Sequence, residues 1–372
     1  MACFVPYWIA CWRPPASRRT ILAVALILRG AALPLAPSLS EDVHRYWWEG
    51  KVQAEGGNPY LVRPDDDRVP AKGFRAGYGP LIELIEWGSY QVASRAARER
   101  DAQVAWMKLP AVVCELATLA LLGGLPARQL VIYAWSPAPV VEFWWNGHND
   151  AVPVFLLVLT LRLASAGRWA WAFAALGLGI SAKWWPAILL PALVWRNRRW
   201  AWLPFPIVFL TALPYSILAH WRDYIENARF MSGFVGGWRN NDSLFGALLE
   251  LTGNPYHAKY AAFALAGMAA VWMMRWPLER AALGTLTALL LLSSNCHPWY
   301  LTWLTPLLPF HPWPPLLLWQ GLMPLAYAVN VDWMILREWD GSRPDRWFIY
   351  VPVFAAMAGW AAAGGMPGSR RR

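Results

Sequence analysis

The sequence predicts an all-α, polytopic integral membrane protein, a single domain running over residues 1–372. Three observations carry that prediction. With 57% hydrophobic and 15% charged residues, the chain holds more apolar surface than one protein core hides, so lipid is its second solvent. Its 28 Trp and 13 Tyr are the amphipathic rings that collect where hydrocarbon meets water. The net charge of +10 is delivered as Arg clusters between apolar runs, which is the positive-inside pattern and not a nucleic-acid surface. Cys3, Cys11, Cys114 and Cys296 show neither CxxC nor zinc spacing, so packing accounts for them and no disulfide framework is expected.

In chain order, Arg13, Arg18 and Arg19 precede an apolar run over 20–39. No small-residue cleavage site follows and more spans come after, so this reads as an uncleaved first span that starts in the cytoplasm and delivers Ser40 to the far side. Arg29 lies inside it, where a cation is a functional candidate, or else snorkels or pairs with a carboxylate in the bundle.

The stretch S-E-D-V-H-R-Y-W-W-E-G-K-V-Q-A-E-G-G-N-P-Y (40–60) is too polar for lipid and is the active-site candidate. Ser40 is the expected cap of a short helix, with Glu41 and Asp42 in its first turn, where the helix dipole favours their charge. Threes and fours from Asp42 reach Arg45, Tyr46 and Glu49, placing two carboxylates, a guanidinium and a phenol on one face. Trp47 and Trp48 take the neighbouring face, and Gly56, Gly57 and Asn58-Pro59 end the helix in a turn. A carboxylate pair beside a membrane is placed to take a proton from a hydroxyl; the plainer alternative is an amphipathic helix with solvated charges.

The outer loop extends from about 40 to 77. Its Asp65-Asp66-Asp67 triplet follows Pro64 and reads as a solvated turn, so no residue set is assigned to a metal. A second span covers 78–97, in which Glu83 and Glu86, three residues apart, share a face that must look into the bundle or a wet cavity. Arg95, Arg98 and Arg100 read as cytoplasmic.

Further spans fit 104–122, 129–145, 150–165, 169–182, 184–196, 200–219, 257–275, 279–295, 297–312, 313–330 and 347–364, for about 11 to 13 in all. Strict alternation conflicts with Arg162, Arg168 and Arg196 to Arg199. One segment between 104 and 196 is therefore expected to be short, broken or re-entrant, with Pro110, Pro137, Pro139, Pro186 and Pro191 supplying breaks. The second polar excursion runs over 220–256; Asp242 or Ser243 is expected to cap a short helix pointing Leu244, Phe245, Leu248 and Leu249 at the membrane. A third, 331–345, is short and charged. No internal repeat or inverted pairing of halves is visible, which weighs against a secondary transporter.

Two more polar constellations sit at span ends. In Gly147-His148-Asn149-Asp150, the His and Asp are candidates for a phosphate or hydroxyl, and equally for helix caps. His297, Trp299 and Tyr300 offer the aromatic faces and hydrogen-bonding groups a pyranose needs, or belong to an interfacial belt. Lys183, before Trp184-Trp185-Pro186, is an ammonium at a break, fit to hold a lipid phosphate or simply to snorkel.

These stretches together resemble the polytopic GT-C glycosyltransferases, in particular the bacterial mannosyltransferase-like branch that uses polyprenyl-phosphate-linked sugars. The resemblance rests on residues 40–60, Y-G-P-L (78–81), W-N-G-H-N-D-A (145–151), S-A-K-W-W-P-A (181–187), W-R-N-N-D-S-L-F (238–245) and H-P-W-Y-L-T-W-L-T-P (297–306), in the family's order from end to end. It implies a catalytic carboxylate in the first non-cytoplasmic loop, acting on the acceptor hydroxyl while a lipid phosphate leaves. That role maps onto Asp42, with Glu41 as the adjacent acid. The family tends to have Asp at both Glu41 and Glu49, so which acid is the base stays open.

A single displacement needs one general base, predicts inversion, and needs a cation to receive the departing charge. Arg45, Lys183, Arg239 and Arg29 are the available cations. Arg45, Tyr46, Glu49, His148, Asn149, Asp150, Lys183, Arg239, Asn241, His297, Trp299 and Tyr300 are the expected substrate-binding residues. No Gly-rich nucleotide loop is visible, favouring a lipid-linked donor.

The expected enzyme is a multi-pass hexosyltransferase of the bacterial inner membrane. It would transfer a hexose, mannose first, from a polyprenyl-phosphate donor to a glycan, lipid or protein acceptor on the outer face. No organic cofactor is expected; a divalent cation stays open, with Glu41 and Asp42 as its oxygen ligands. A polymerase or ligase of lipid-linked oligosaccharides and a membrane transporter are the rival readings.

Overall fold

The computed structural model describes residues 2–66, 68–70, 73–217, 220, 222–223, 225–226, 238–336 and 338–364. Asp67 and much of the second polar loop, 218–219, 221, 224 and 227–237, lie outside them. The described residues form α-helices joined by short 3-10 and π turns, with no β-strand among them, as the sequence predicts. In order these are α1 (Phe4–Trp12), α2 (Arg18–Ala32), α3 (Asp42–Ala54), α4 (Pro80–Ala96), α5 (Arg100–Trp106), α6 (Leu109–Leu122), α7 (Ala127–Ala134), α8 (Pro137–Pro139), α9 (Ala151–Ser165), α10 (Trp169–Ala182), α11 (Leu190–Arg196), α12 (Pro204–Ile217), α13 (Leu244–Thr252), α14 (Pro255–Met273), α15 (Leu278–Leu292), α16 (Pro314–Leu322), α17 (Ala328–Leu336) and α18 (Trp347–Ala362).

Among the described residues, two helical stretches are long and apolar enough to cross a membrane, Arg100–Leu122 and Arg198–Ile217. Arg100–Leu122 is α5 and α6 joined through a turn. The bundle is inside-out relative to a water-soluble one. On α2, Arg29 is fully buried while Leu26 and Ile27 are 50% and 68% exposed. On α12, Phe205, Phe209, Leu210 and Ile217 all face outward. Charge inside and bare hydrocarbon outside is the arrangement that lipid, not water, rewards. At the centre, α9 is apolar on every face and packs along both α6 and α10.

Arg29 takes the partner the sequence left open. Its Nε and Nη2 bind Glu115 at 2.9 and 2.6 Å, and Nη1 donates to the carbonyls of Ala25 and Ala134. It is therefore a structural pair between α2 and α6, not a cation for substrate.

The breaks fall at prolines, and there are more of them than expected. Residues 127–145 are split at Pro137 and finish in a π turn, Val140–Trp145; 185–196 begins as a 3-10 turn, Trp185–Leu189; and 297–312 holds only 3-10 turns, Pro298–Trp303 and Thr305–Leu307. The 313–330 run changes to a 3-10 turn at Met323–Tyr327. Proline removes a helical donor and crowds the preceding turn, so these apolar runs are not continuous helices. Apolarity alone does not reveal that.

Three local expectations change. Helix α3 starts at Asp42 with Glu41 in the cap position, and Ser40 Oγ accepts the amide of Asp42 at 3.2 Å instead of one deeper in the turn. The outer face of α13 is not lipid-directed as a whole: Phe245 is buried on Ala258 and Ala262 of α14, with Leu248 and Leu249 packed beside it, and Leu244 alone of the four is exposed. Helix α1, unforeseen because Pro6 and its short length hide it, buries Phe4, Tyr7 and Cys11, and Tyr7 donates to the carbonyl of Ile132 at 2.7 Å.

Candidate active site

The three polar constellations meet. The segment between α2 and α3 is laced to the turn after the π helix: Asn146 Oδ1 accepts from the amides of Ser38 and Leu39, Trp145 Nε1 donates to Ala36 O at 2.8 Å, and Lys108 Nζ reaches the carbonyls of Leu33 and Leu35. That lacing carries Asp42, at the start of α3, to His148. Gly147 makes the reversal: its φ of +74° favours glycine, and the Lys108 side chain fills the space a Cβ would need.

His148 is fully buried between two acids. Its Nδ1 stands 3.7 Å from Asp42 Oδ2, and its Nε2 stands 3.5 Å from Glu142 Oε2. Neither ring nitrogen has a hydrogen-bond partner at that spacing. Glu142 Oε2 accepts from the Tyr327 hydroxyl at 2.7 Å. The imidazole stacks on Trp299 at 4.2 Å, and Trp299 stacks on His297 at 4.4 Å, giving a continuous pile of three flat rings. His297 Nδ1 in turn meets Asn240 Nδ2 at 2.8 Å.

Beside the pile, Asp150 holds two donors, Trp303 Nε1 at 2.8 Å and Lys183 Nζ at 2.7 Å. Lys183 lies where α10 stops and the chain becomes extended, with its ammonium 5.2 Å from the Tyr78 ring. Gly79 permits that approach, because a Cβ there would sit 2.1 Å from Ser181 O. Its amide donates to Ala182 O at 3.1 Å.

Burial pushes the Asp42 carboxyl up to about 6, with Asp150 adding to the rise and Lys183, Arg45 and the Ser40 hydroxyl opposing it. Its side chain keeps 28% exposure, so the group is both desolvated and reachable. Burial, then the Lys183 and His297 charges, hold His148 far below its ordinary range, so its imidazole is neutral. An acid that is ionised at neutral pH yet avid for a proton, backed by a neutral imidazole and an ammonium, is equipped for general-base work.

Of the predicted site residues, Asp42, His148, Asp150, Lys183, His297, Trp299 and Tyr300 lie in this group, Tyr300 stacking on Trp303 at 4.5 Å. The others are occupied elsewhere. Glu41 acts on His44, on the other side of α3, where Arg100, Asp101 and Arg68 also lie and where burial lowers the His44 imidazole. Arg45 binds Glu49 at 2.8 Å and the carbonyls of Pro70 and Phe74, so it holds the loop. Tyr46 is buried against Tyr78. Asn149 donates to Glu86 at 3.2 Å.

Arg239 pairs with Asp242 at 2.8 Å. Asn241, in the left-handed region at φ +51°, donates to Cys296 O. The residue of that stretch that reaches the rings is its neighbour Asn240, which the sequence did not single out. Glu142 was also missed, although an acid inside an apolar run is a functional signal in itself. Of the Asp triplet, Asp66 accepts the Arg68 amide and pairs with Arg100, as a turn does.

The family model described as "Alpha-(1->6)-mannopyranosyltransferase, N-terminal domain" matches residues 1–199, which include α1 to α11 and, of the ring pile, His148. Comparison with curated proteins and with solved structures gives no match.

Proposed function

We propose that the chain, which belongs to the alpha-(1->6)-mannopyranosyltransferase family and is thus a membrane glycosyltransferase of the GT-C type, transfers mannose from a polyprenyl-phosphate donor to an acceptor hydroxyl with inversion. On this reading it is a multi-pass protein of the bacterial inner membrane, and its site opens on the outer face. The observation that carries the reading is Asp42: partly open, raised to about 6, 3.7 Å from His148, and within the field of the paired Lys183 and Asp150.

In the proposed reaction Asp42 takes the proton of the acceptor hydroxyl as its oxygen attacks the anomeric carbon, and the bond to the donor phosphate breaks with the electron pair. Lys183, the cation that acts most strongly on Asp42 among the described residues, favours the phosphate's developing charge. Tyr300, stacked on Trp303 by one face, supplies a flat face for the sugar, while Trp299, with a histidine on each face, stiffens the wall behind it. His148, neutral and set between Asp42 and Glu142, positions the base without placing a second positive charge beside it.

The test is transfer of labelled mannose from mannosyl-phosphoryl-polyprenol by the purified protein in vesicles, with Asp42→Asn and Glu41→Gln alongside. Loss in the first with retention in the second supports the assignment. Full turnover by Asp42→Asn, or release of product with the donor's anomeric configuration, overturns it.

A further inference from the structure

Apart from the ring pile, a second cluster lies between α3 and α4. Glu49, Glu83 and Glu86 are 0%, 0% and 3% exposed, and each offers an oxygen within 4.8 Å of the others. Each also keeps one oxygen that is buried and has no hydrogen-bond partner: Glu49 Oε2, Glu83 Oε1 and Glu86 Oε2. Their second oxygens are taken, by Arg45 Nε at 2.8 Å, Gln53 Nε2 at 3.2 Å and Asn149 Nδ2 at 3.2 Å. Asn149, 7% exposed, leaves its own Oδ1 unpartnered next to Glu86, and the two line a small, mainly apolar cavity with Ile82, Ile85 and Met107.

Charge counting sharpens this. Among the described residues, the cation acting on Glu83 and Glu86 is Arg45, the same group that binds Glu49. Fully ionised, three carboxylates against one guanidinium would carry two unbalanced negative charges in a buried place, which the fold tolerates only if protons or a cation neutralise them. One divalent cation balances the sum. Unpaired oxygens from three acids and a neutral carboxamide oxygen are the donor chemistry of a hard ion.

The spacing fits as well. Oxygens on a common Ca²⁺, at about 2.3–2.6 Å each, stand at most about 5 Å apart; on Mg²⁺, at about 2.1 Å, at most about 4 Å. The Glu oxygens, within 4.8 Å of each other, reach the larger ion after slight closing and a smaller one after more.

We propose that Glu49, Glu83 and Glu86, with Asn149, form a binding site for one hard divalent cation that fastens α3 to α4. Glu49 is seven residues beyond Asp42, or about 10 Å along the helix axis. The ion therefore holds the helix that presents Asp42 and does not touch the reacting atoms. The proposal is independent of the assignment of Asp42 as base.

The experiment uses the full chain in detergent micelles, stripped with a chelator and then titrated with Mn²⁺ alone. Bound Mn²⁺ is read by paramagnetic resonance and thermal unfolding is followed in parallel. The expected result is about one tightly bound Mn²⁺ per chain and a rise in Tm on loading. Glu83→Gln and Glu86→Gln should each weaken binding at least tenfold, and Asp42→Asn should bind as the wild type does while losing transferase activity. A stripped wild-type chain that takes up no Mn²⁺ beyond the Glu86→Gln background, with a Tm indifferent to chelator, overturns the site. So does Mn²⁺ binding that Asp42→Asn abolishes and Glu83→Gln and Glu86→Gln leave intact, since that would place the ion at the base.

Discussion

Asp42 Oδ2 and His148 Nδ1 face each other across 3.7 Å, one on the first turn of α3 and the other 106 residues on, at the turn that precedes α9. No covalent neighbour brings them together. The meeting depends on Asn146, Trp145 and Lys108, which tie the segment leading into α3 to the turn just before His148.

Removing the charge at Asp42 while keeping its shape tests the base. Asp42→Asn should lower kcat about 10²–10⁴-fold, the usual worth of a positioned proton acceptor. Glu41→Gln, changing a carboxylate that acts on His44, should stay within a few-fold of wild type. Steady-state transfer assays on both proteins decide it.

The acid limb of the pH profile should report Asp42. A base must be ionised to work, so kcat/KM should fall as pH drops through about 6 and level off above it. The Lys183 ammonium holds that value down, so Lys183→Met should move the limb to higher pH as well as slowing phosphate departure. A pH–rate series on the two proteins, with donor saturating and limiting, checks the shift.

His148→Phe keeps a ring to stack on Trp299 but removes both nitrogens. If the imidazole positions Asp42 for proton transfer, kcat should drop by up to about 10²-fold with KM for the donor little changed. Glu142→Gln should give a smaller loss in the same direction. An effect confined to KM would mean that the ring only shapes the pocket.

Breaking the Arg29–Glu115 pair from one side should destabilise the fold by about 3–5 kcal/mol, because the remaining charge has nowhere to go. Arg29→Met and Glu115→Gln should each show it by unfolding in mild detergent. Combined, they should cost clearly less than the sum of the two.

Gly79→Ala should be harmful although the new group is one methyl. Its Cβ would lie 2.1 Å from Ser181 O, so the backbone beneath Tyr78 and Lys183 must separate. A stability loss of about 1–3 kcal/mol together with reduced activity is expected, measured by unfolding and transfer assays.

Much of the fold was legible, for definite reasons. Bilayer-length apolar runs, Trp at their ends and Arg between them are read directly from composition and order, and so is the short helix carrying Asp42. The convergence of Gly147–Asp150 with His297–Tyr300 was legible only as a set of polar groups at span ends. Nothing in the sequence says that the Trp299 ring lies between His148 and His297. Asn240 and Asn241 look alike in sequence; only the left-handed turn at Asn241 aims one at the rings and the other at Cys296 O. The proline-broken segments were underestimated because hydropathy records how apolar a run is, not whether its amides can all be satisfied as one helix.

The Arg29–Glu115 contact has a further consequence for how the chain is made. The two residues are 86 positions apart, so during synthesis the guanidinium reaches the membrane well before its carboxylate partner exists. Until α6 emerges the first hydrophobic segment carries an unpaired cation, which disfavours its settling alone at its final depth. Nascent chains halted before residue 115 should therefore remain extractable by alkaline carbonate, and those halted beyond α6 should not. Biogenesis of this protein would then proceed by pairwise entry of helices that are distant in sequence, with the ion pair acting as the latch between them.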